Sequence, residues 1–394
     1  MDLQFSERVQ RIKPSATIAV SMKAAELRAQ GRDILSLSMG EPDFETPDHV
    51  KAAAIKAIRQ GQTHYTAVDG TPELKEAVIA KLKRDNGLEY EASQILVSNG
   101  AKHSIFNAMQ ALLDEGDEVI VPAPYWVSYP DMALLTGARP VVLETGERQQ
   151  FKITPEQLEA AISKNTRIVM LNSPSNPTGM AYTKAEFAAL AEVLEAHPRI
   201  VVISDEIYEH IWWADEPFCG PLNAAPQLAE RTLVINGVSK AYAMTGWRIG
   251  FAAGPESLIS QMKKVQGQST SNPCSISQAA AAEALGGDQS ALGPMVKAFR
   301  ERHDYFVKAL DELPGVSCLP TQGAFYAFPR MDGPLNALDG VDDDVQLAEY
   351  LLEKAGVATV PGTAFGGPGH LRLSFAASMD TLEEAIRRLA ECFG

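Results

Sequence analysis

Residues 166–209 read TRIVMLNSPSNPTGMAYTKAEFAALAEVLEAHPRIVVISDEIYE, in which two apolar runs flank a helical pattern. The runs TRIVMLN and RIVVISD are rich in β-branched residues, and KAEFAALAEVLEAH between them has apolar residues at helical spacing. A strand, a helix and a second strand in this order predict a βαβ unit. The two strands of such a unit are parallel, because the helix carries the chain back to the starting edge of the sheet.

The same alternation extends from about residue 90 to 255. Further β-rich runs are QILVS, DEVIVP, ARPVVLE and RTLVING, and helical patterns such as HSIFNAMQALLDEG separate them. This pattern predicts a mostly parallel sheet with helices on both faces. Ligands of such sheets bind outside the carboxyl ends of the strands, so the residues directly after each run are candidate site residues.

The later part of the chain predicts a smaller α+β unit. MVKAFRERHDYFVKALDEL has the spacing of a long amphipathic helix, and a helix, the strand HLRLSFA and a last helix follow it. The stretch GPLNALDGVDDDV, residues 333–345, is predicted to be a solvated loop. A length of 394 residues agrees with about two domains.

Composition excludes several classes of protein. The net charge of −15 argues against nucleic-acid binding, and no apolar run approaches the ~20 residues of a membrane span. The first residues lack the pattern of a secretory signal, and the 4 cysteines form no CxxC pair, so we expect a cytoplasmic protein with reduced thiols. The 7 histidines show no metal-ligand spacing, and we expect no metal.

Three strand ends carry side chains that suit a ligand. Gly100 and Ala101 follow QILVS at a turn into a helix, which suits a phosphate, although an ordinary turn is the alternative. Trp126, after DEVIVP, either stacks on a planar ring or caps the core. Asn176, in SPSNPTG, either donates a hydrogen bond to a ligand or belongs to a plain Asn-Pro turn.

Two further strand ends add charge. Asp205 follows RIVVIS and either caps a helix or faces a cation, and Tyr208 shares its face if a helix starts at once. Ser239, Lys240 and Arg248 follow RTLVING. Taken together, the residues at the five strand ends indicate a ligand with a planar cationic ring and a phosphate group, bound covalently through an amine. Pyridoxal 5′-phosphate (PLP) is such a ligand.

The segment SKAYAMTGWRIG, residues 239–250, resembles the lysine-attachment motif of class I aminotransferases, which are PLP enzymes of fold type I. NSPSNPTG, SDEIYE, GEPDF and HLRLSFA resemble other sequence blocks of that family, and they span nearly the whole chain. The likeness is greatest to the bacterial and plastid branch of aspartate aminotransferases, some of which also use prephenate.

The resemblance implies an α/β protein of fold type I, with a large domain built on a mostly parallel seven-stranded sheet and a smaller α+β domain. Residues 1–45 would form an N-terminal arm and part of the small domain, 46–290 the large PLP-binding domain, and 291–394 the small C-terminal domain. It also implies a homodimer that binds amino acids and 2-oxo acids.

The resemblance assigns roles around the coenzyme ring. Lys240 would form the Schiff base with PLP and, once released, move a proton between substrate and coenzyme. Asp205 would pair with the ring nitrogen, Tyr208 and Asn176 would hydrogen-bond the phenolic oxygen, and Trp126 would stack on the ring.

The phosphate and substrate sites follow in the same way. The amides of Gly100 and Ala101, the Ser239 hydroxyl and Arg248 would hold the phosphate, with Tyr65 from the neighbouring subunit. The substrate would meet Trp126 and Asn176, with its α-carboxylate bound by Arg372 beside the Gly40 backbone. A plain structural salt bridge is the alternative for Arg372.

Recognition of the second carboxylate is a separate question. No arginine occurs between Arg248 and Arg300, so an arginine that some family members supply from this stretch is missing. In the branch that the chain resembles, a lysine past the phosphate turn replaces it, which here is Lys102, helped by Ser15 and Thr17. We therefore expect transfer from aspartate to 2-oxoglutarate, with some tolerance for aromatic or prephenate-like substrates.

Other readings stay open. One is a sister enzyme of the same fold. It could be an aminotransferase with aromatic, alanine, prephenate or glutamate specificity, a C–S lyase, or an aminocyclopropane-carboxylate synthase. A PLP-binding transcriptional regulator is disfavoured, because the family blocks start near residue 13 and the chain is acidic. A catalytically dead scaffold would normally have lost Lys240 or Asp205.

Overall fold

A computed structural model describes residues 3–394. The strands are β1 Leu35–Ser36, β2 Ile95–Ser98, β3 Glu118–Pro122, β4 Arg139–Leu143, β5 Thr166–Asn172, β6 Val201–Asp205, β7 Thr232–Gly237, β8 Gly250–Ala253, β9 Tyr326–Ala327, β10 Val357–Ala358, β11 Val360–Pro361 and β12 Leu371–Ser374. The α-helices are α1 Glu7–Gln10, α2 Ala16–Ala29, α3 Asp48–Arg59, α4 Pro72–Lys81, α5 Ala101–Leu112, α6 Ser128–Thr136, α7 Pro155–Ala161, α8 Lys184–Glu195, α9 Pro221–Ala224, α10 Glu256–Ser269, α11 Ser275–Gly286, α12 Leu292–Asp311, α13 Asp332–Ala337, α14 Asp344–Tyr350 and α15 Met379–Phe393.

The largest sheet has seven strands in the order β2-β8-β7-β6-β5-β3-β4. The pairs β7/β6, β6/β5, β5/β3 and β3/β4 are parallel, whereas β8 runs antiparallel to both of its neighbours. All six β-rich runs of the sequence are strands of this sheet, which confirms the mostly parallel seven-stranded fold. The seventh strand, β8, begins at the last residue of the lysine segment.

Alternation along the central strands explains why helices cover both faces. In β5, Ile168 and Met170 pack into a core with α5, α6 and α10, whereas Val169 and Leu171 pack into another core with α7 and α8. Successive side chains of a strand point to opposite faces, so an unbroken apolar run buries both. The carboxyl ends of β5, β6 and β7 therefore lie at one edge, between two helical layers.

The crossover helix of the βαβ unit begins with a capping box. Thr183 accepts a hydrogen bond from the Glu186 amide at 3.2 Å, and the Glu186 carboxylate accepts one from the Thr183 amide at 2.7 Å. These bonds satisfy two amides that lack a partner within α8. The N-terminus of this helix is thus set by residues 183–186, directly after the SPSNPTG loop.

A second unit contains the antiparallel sheet β11-β12-β9 and the helices α12, α14 and α15 around their own core. The strand β1 pairs in parallel with β10, so the N-terminal segment joins the C-terminal part of the chain. This pairing is the arrangement expected of a small domain built from both chain ends. The bounds at residues 45 and 290 stay a prediction.

The solvated loop predicted for residues 333–345 is wrong in part. The helix α13 covers Asp332–Ala337, and α14 starts at Asp344. Asp344 is 1% exposed, because its carboxylate accepts hydrogen bonds from the Thr363 amide and hydroxyl, both at 2.7 Å, and from the Gly369 amide at 3.0 Å. A run of three aspartates thus contains one structural residue that composition did not distinguish. Across residues 3–394, no helix has both the length and the apolar character needed to cross a membrane.

Candidate active site

A cavity of about 340 Å³ opens at the carboxyl ends of β5, β6 and β7, beside the N-terminal segment. Most of the site residues predicted from the sequence line it. These are Ser15, Thr17, Gly40, Ala101, Lys102, Trp126, Asn176, Asp205, Tyr208, Ser239, Lys240, Arg248 and Arg372. Gly100 adjoins the cavity, whereas Tyr65 does not line it.

Lys240 extends into this cavity from the turn after β7. Its Nζ donates a hydrogen bond to the Gly40 carbonyl and lies 5.7 Å from the centroid of the Tyr208 ring. Burial, with the nearby Arg372 guanidinium, lowers the pKa of the amine to about 8. Lowering the pKa of a lysine raises its neutral fraction near neutral pH, and the neutral form is the nucleophile and base.

Asp205 is the last residue of β6 and is 4% exposed. Its Oδ2 accepts a hydrogen bond from the Tyr129 hydroxyl at 2.7 Å, and its Oδ1 accepts one from the Ile207 amide at 3.3 Å. Burial raises the pKa of this carboxyl to about 6, although both hydrogen bonds and Lys240 oppose that rise. A cationic group in the cavity would complete the stabilisation of the carboxylate.

No helix follows Asp205, so the helix-cap reading is wrong. Residues 207–210 form turns instead. Tyr208 still reaches the cavity, and its hydroxyl lies 2.7 Å from the Tyr326 hydroxyl. Asp205 and Tyr208 therefore face the same cavity because of this turn, and not because of helical spacing.

The turn at Gly100 and Ala101 has features that favour an anion. Gly100 has φ +85°, a left-handed conformation, and a side chain there would collide with the Arg248 guanidinium. The helix α5 begins at the next residue, Ala101, and N-terminal helix amides attract anions. Arg248 is oriented by hydrogen bonds from Nη1 to the Thr245 carbonyl at 2.9 Å and from Nη2 to the Asn99 carbonyl at 3.3 Å.

Arg372 is a buried cation, 2% exposed, on β12. Its Nη1 donates to Asn176 Oδ1 at 3.0 Å and its Nη2 donates to the Ser38 carbonyl at 2.6 Å. The guanidinium carbon lies 4.6 Å from the Tyr326 ring centroid and 5.0 Å from that of Phe365.

The third guanidinium nitrogen of Arg372, Nε, is buried and has no hydrogen-bond partner among residues 3–394. Within the same range, no carboxylate forms an ion pair with Arg372, so the salt-bridge alternative does not hold. A buried guanidinium without an anion is costly, and a substrate carboxylate would supply the missing charge.

Lys102, in the first turn of α5, also has no anionic partner within the described residues 3–394. Its Nζ lies 4.7 Å from the centroid of the Trp126 ring. Burial and the Arg248 charge lower the pKa of this amine. Trp126 also contacts Tyr129 edge to face, with ring centroids 5.3 Å apart.

Tyr65 lies apart from the cavity. Its side chain is 91% exposed, and it borders a separate cavity of about 790 Å³ beside α3 and α11. A single chain therefore does not bring Tyr65 to Lys240, and its assignment to a neighbouring subunit stays a prediction.

Sequence reasoning missed several residues that line the cavity. These are Ile18, Met39, Glu41, Val127, Ser128, Tyr129, Asn172, Ile207, Thr245 and Tyr326. Tyr129 could have been found, since it lies three residues after Trp126 in the same strand-end segment. Tyr326 had no local signal, because β9 is two residues long and lies in the other unit.

Residues 32–389 match the family model described as aminotransferase class I and II. The chain belongs to this family. It is 53% identical over 393 residues to the aspartate/prephenate aminotransferase of Nitrosomonas europaea, covering 98% of this chain and 99% of the relative. It is 48% identical over 387 residues to the aspartate aminotransferase of Geobacillus stearothermophilus, covering 98% of each.

Solved structures give the same result for this aminotransferase. The aspartate aminotransferase from Rhizobium meliloti superimposes with a TM-score of 0.96 at 46% identity, covering 100% of this chain and 99% of the other. The Thermus thermophilus aspartate aminotransferase with maleate has a TM-score of 0.93 at 44% identity, covering 99% and 100%. The fold type I assignment is confirmed.

Class I aminotransferases use PLP, and the residues of the cavity fit it. Lys240 offers an amine, Asp205 a buried carboxylate, and the N-terminus of α5 with Arg248 a phosphate site. The protein is a PLP-dependent transaminase. The individual residue roles within the site stay predictions, and the geometry brings all of them except Tyr65 to one place.

Proposed function

We propose that this aminotransferase moves the amino group of L-aspartate to 2-oxoglutarate, which yields oxaloacetate and L-glutamate. The observation that carries the proposal is the set of cations in the cavity. Among the described residues, four basic side chains line it, namely Lys102, Lys240, Arg248 and Arg372. Covalent attachment, the phosphate and the α-carboxylate account for three, and Lys102 remains for a second carboxylate.

The chemistry divides between coenzyme and protein. When bound, PLP supplies the electron sink for the carbanion at the substrate Cα. Arg372 holds the α-carboxylate with a planar guanidinium, which fixes the orientation of the bonds at Cα. Lys240, with its lowered pKa, would take the proton from the substrate Cα and deliver it to the coenzyme, while the Asp205 carboxylate would balance the positive charge of the ring nitrogen.

Selection of a dicarboxylate rests on Lys102 with the hydroxyls of Ser15 and Thr17, which line the same cavity. A lysine is a point charge without the rigid fork of an arginine, so it discriminates less sharply among acids. Glutamate and aspartate should therefore both react.

A wider specificity that includes prephenate or aromatic substrates is the second candidate. Ile18 and Met39 line the cavity and are 59% and 40% exposed, so apolar surface borders the place where a substrate side chain would lie. Two relatives, at 53% and 52% identity, carry the name aspartate/prephenate aminotransferase.

The purified protein tests the main proposal. We expect a yellow holoenzyme whose absorbance bleaches on addition of aspartate and returns with 2-oxoglutarate. Glutamate should form only when the 2-oxo acid is present. Formation of pyruvate, ammonia and a thiol from a cysteine thioether, without a 2-oxo acid, would instead indicate a C–S lyase. Prephenate and phenylpyruvate as alternative acceptors measure the wider specificity.

We also propose a homodimer in which Tyr65 completes the phosphate site of the other chain, since Tyr65 is 91% exposed and does not line the cavity of its own chain. Co-expressed Lys240→Ala and Tyr65→Phe chains test this. A hybrid dimer has one site with both residues intact if Tyr65 acts across the interface, and activity exceeds that of either parent. No recovery would mean that Tyr65 acts within its own chain or not at all.

We further propose a cytoplasmic location. Cys219, Cys274, Cys318 and Cys392 are all free thiols in the described chain, which supports a reducing compartment. Fractionation of the native cells, with detection by antibody, tests it.

A further inference from the structure

Tyr129 connects two predicted parts of the coenzyme site. It is the second residue of α6 and is 2% exposed. Its hydroxyl donates to Asp205 Oδ2 at 2.7 Å, and its ring meets the Trp126 indole edge to face, with an angle of 81° between the ring planes. One side chain thus contacts both the partner expected for the ring nitrogen and the aromatic expected to stack on the ring.

The hydrogen bond to Asp205 comes from a separate element. Each carboxylate oxygen accepts one bond, from the Ile207 amide of its own segment and from Tyr129 on the neighbouring helix. The amide alone leaves the carboxylate free to rotate about Cβ–Cγ, whereas two donors on different oxygens define its plane. A preorganised carboxylate does not have to reorient when a cation arrives.

We propose that Tyr129 is a positioning residue for the coenzyme, which sets the Asp205 carboxylate and the Trp126 ring together. The hydroxyl stabilises the ionised form of Asp205 and aims it, and the ring holds the indole plane. This role concerns the coenzyme and does not depend on which amino acid is the substrate.

The groups around Asp205 determine what the loss of this bond does. Besides Tyr129 on α6, they are Lys240 after β7, and Tyr208 and Glu206 on the segment of Asp205 itself. Burial raises the pKa of Asp205 and so favours the neutral carboxyl, whereas the hydrogen bond from the Tyr129 hydroxyl lowers that pKa. Without the phenol, Asp205 becomes a weaker partner for a protonated ring nitrogen.

Tyr129→Phe tests the proposal, because it removes only the hydroxyl. We expect PLP release from diluted holoenzyme to be about tenfold faster, since a hydrogen bond to a charged group is lost. We also expect the pH midpoint of the holoenzyme's yellow absorbance to move upward, because less positive charge remains on the ring. Neither quantity reports turnover.

Tyr125→Phe is the matched control. It is the same change four residues earlier, and the Tyr125 hydroxyl makes no side-chain hydrogen bond within residues 3–394. PLP release and the absorbance midpoint should match the wild type in this variant. The same shift in both variants would attribute the effect to general loosening and overturn the proposal.

A double-mutant cycle with Asp205→Asn separates positioning from packing. If Tyr129 acts through the carboxylate, its removal changes PLP release far less when residue 205 is already an amide. Fully additive effects, or wild-type release and absorbance in Tyr129→Phe, would overturn the proposal.

Discussion

The floor of the cavity and its wall differ in how firmly they are held. We define the floor as Asn176, Asp205, Ser239 and Lys240 at the strand ends, and the wall as residues 15–18 with Met39 from the N-terminal segment. In the floor, Asn176, Asp205 and Ser239 are 7%, 4% and 8% exposed, whereas in the wall Ile18 and Met39 are 59% and 40% exposed.

This contrast suggests that the floor carries out the reaction and that the wall selects the substrate. Strands buried on both faces hold the floor, so its groups keep their geometry when a substrate arrives. Ile18 and Met39 of the wall are exposed, so their side chains can adapt to substrates of different shape. We therefore expect changes in the floor to abolish turnover of every substrate, and changes near the wall to alter the ranking of substrates.

The largest effect belongs to the floor. Lys240→Ala should lower kcat by about 10⁴-fold, because it removes both the attachment point and the proton carrier. Stopped-flow absorbance with aspartate measures the loss. Lys264→Ala, at an exposed lysine on α10, is the control and should keep wild-type kcat. Retention of more than a tenth of the activity in Lys240→Ala would contradict the floor assignment.

Arg372→Lys tests the residue that joins the two regions. Lysine keeps the charge but lacks the planar fork with which Arg372 contacts Asn176 and the Ser38 carbonyl and can bind both oxygens of a carboxylate, so kcat/KM should fall about a thousandfold. Because every amino acid has an α-carboxylate, aspartate and alanine should lose activity equally. Unequal losses would place Arg372 at the substrate side chain instead. Arg330→Lys, at an exposed arginine, should change neither value.

Local sequence patterns were sufficient to predict the residues of the floor but not the other residues of the cavity. Asp205 and Lys240 end or follow apolar strands, so sheet topology alone brings them to one edge. Tyr326 reaches the cavity only because the second unit packs against the first, and no local pattern encodes that contact. The turn after Asp205 was also not predicted, because the local pattern DEIYE is compatible with a helix and tertiary packing determines that it forms turns.

Lys102→Ala tests recognition near the wall. We expect kcat/KM for aspartate to fall about fiftyfold, because the second carboxylate loses its cation. Activity with a neutral amino acid such as alanine should change less than threefold. Steady-state assays with both donors, using 2-oxoglutarate as acceptor in each, give the comparison. Equal losses for both donors would assign Lys102 to the phosphate or to the structure of α5.

The smallest effect concerns a buried acid behind the floor. Glu206 follows Asp205, is 2% exposed and accepts a hydrogen bond from the Ser204 hydroxyl at 2.8 Å. Burial and the neighbouring Glu209 raise its pKa to about 8. Between pH 4.5 and about 8, Glu206 therefore keeps its proton in the folded protein but has lost it in the unfolded chain. Because the unfolded state binds fewer protons in this range, the free energy of unfolding falls as the pH rises towards 8.

Glu206→Gln replaces that acid with a neutral side chain of the same shape. The free energy of unfolding should fall between pH ~5 and ~8 in both proteins, but by about 2 kcal/mol less in Glu206→Gln than in the wild type. Urea denaturation at each pH measures it. The exposed Glu192→Gln should follow the wild-type curve. An unchanged slope in Glu206→Gln would mean that Glu206 is ionised in the folded protein. The carboxylates behind the floor would then be held by Lys81, which already pairs with Glu209, rather than by a retained proton.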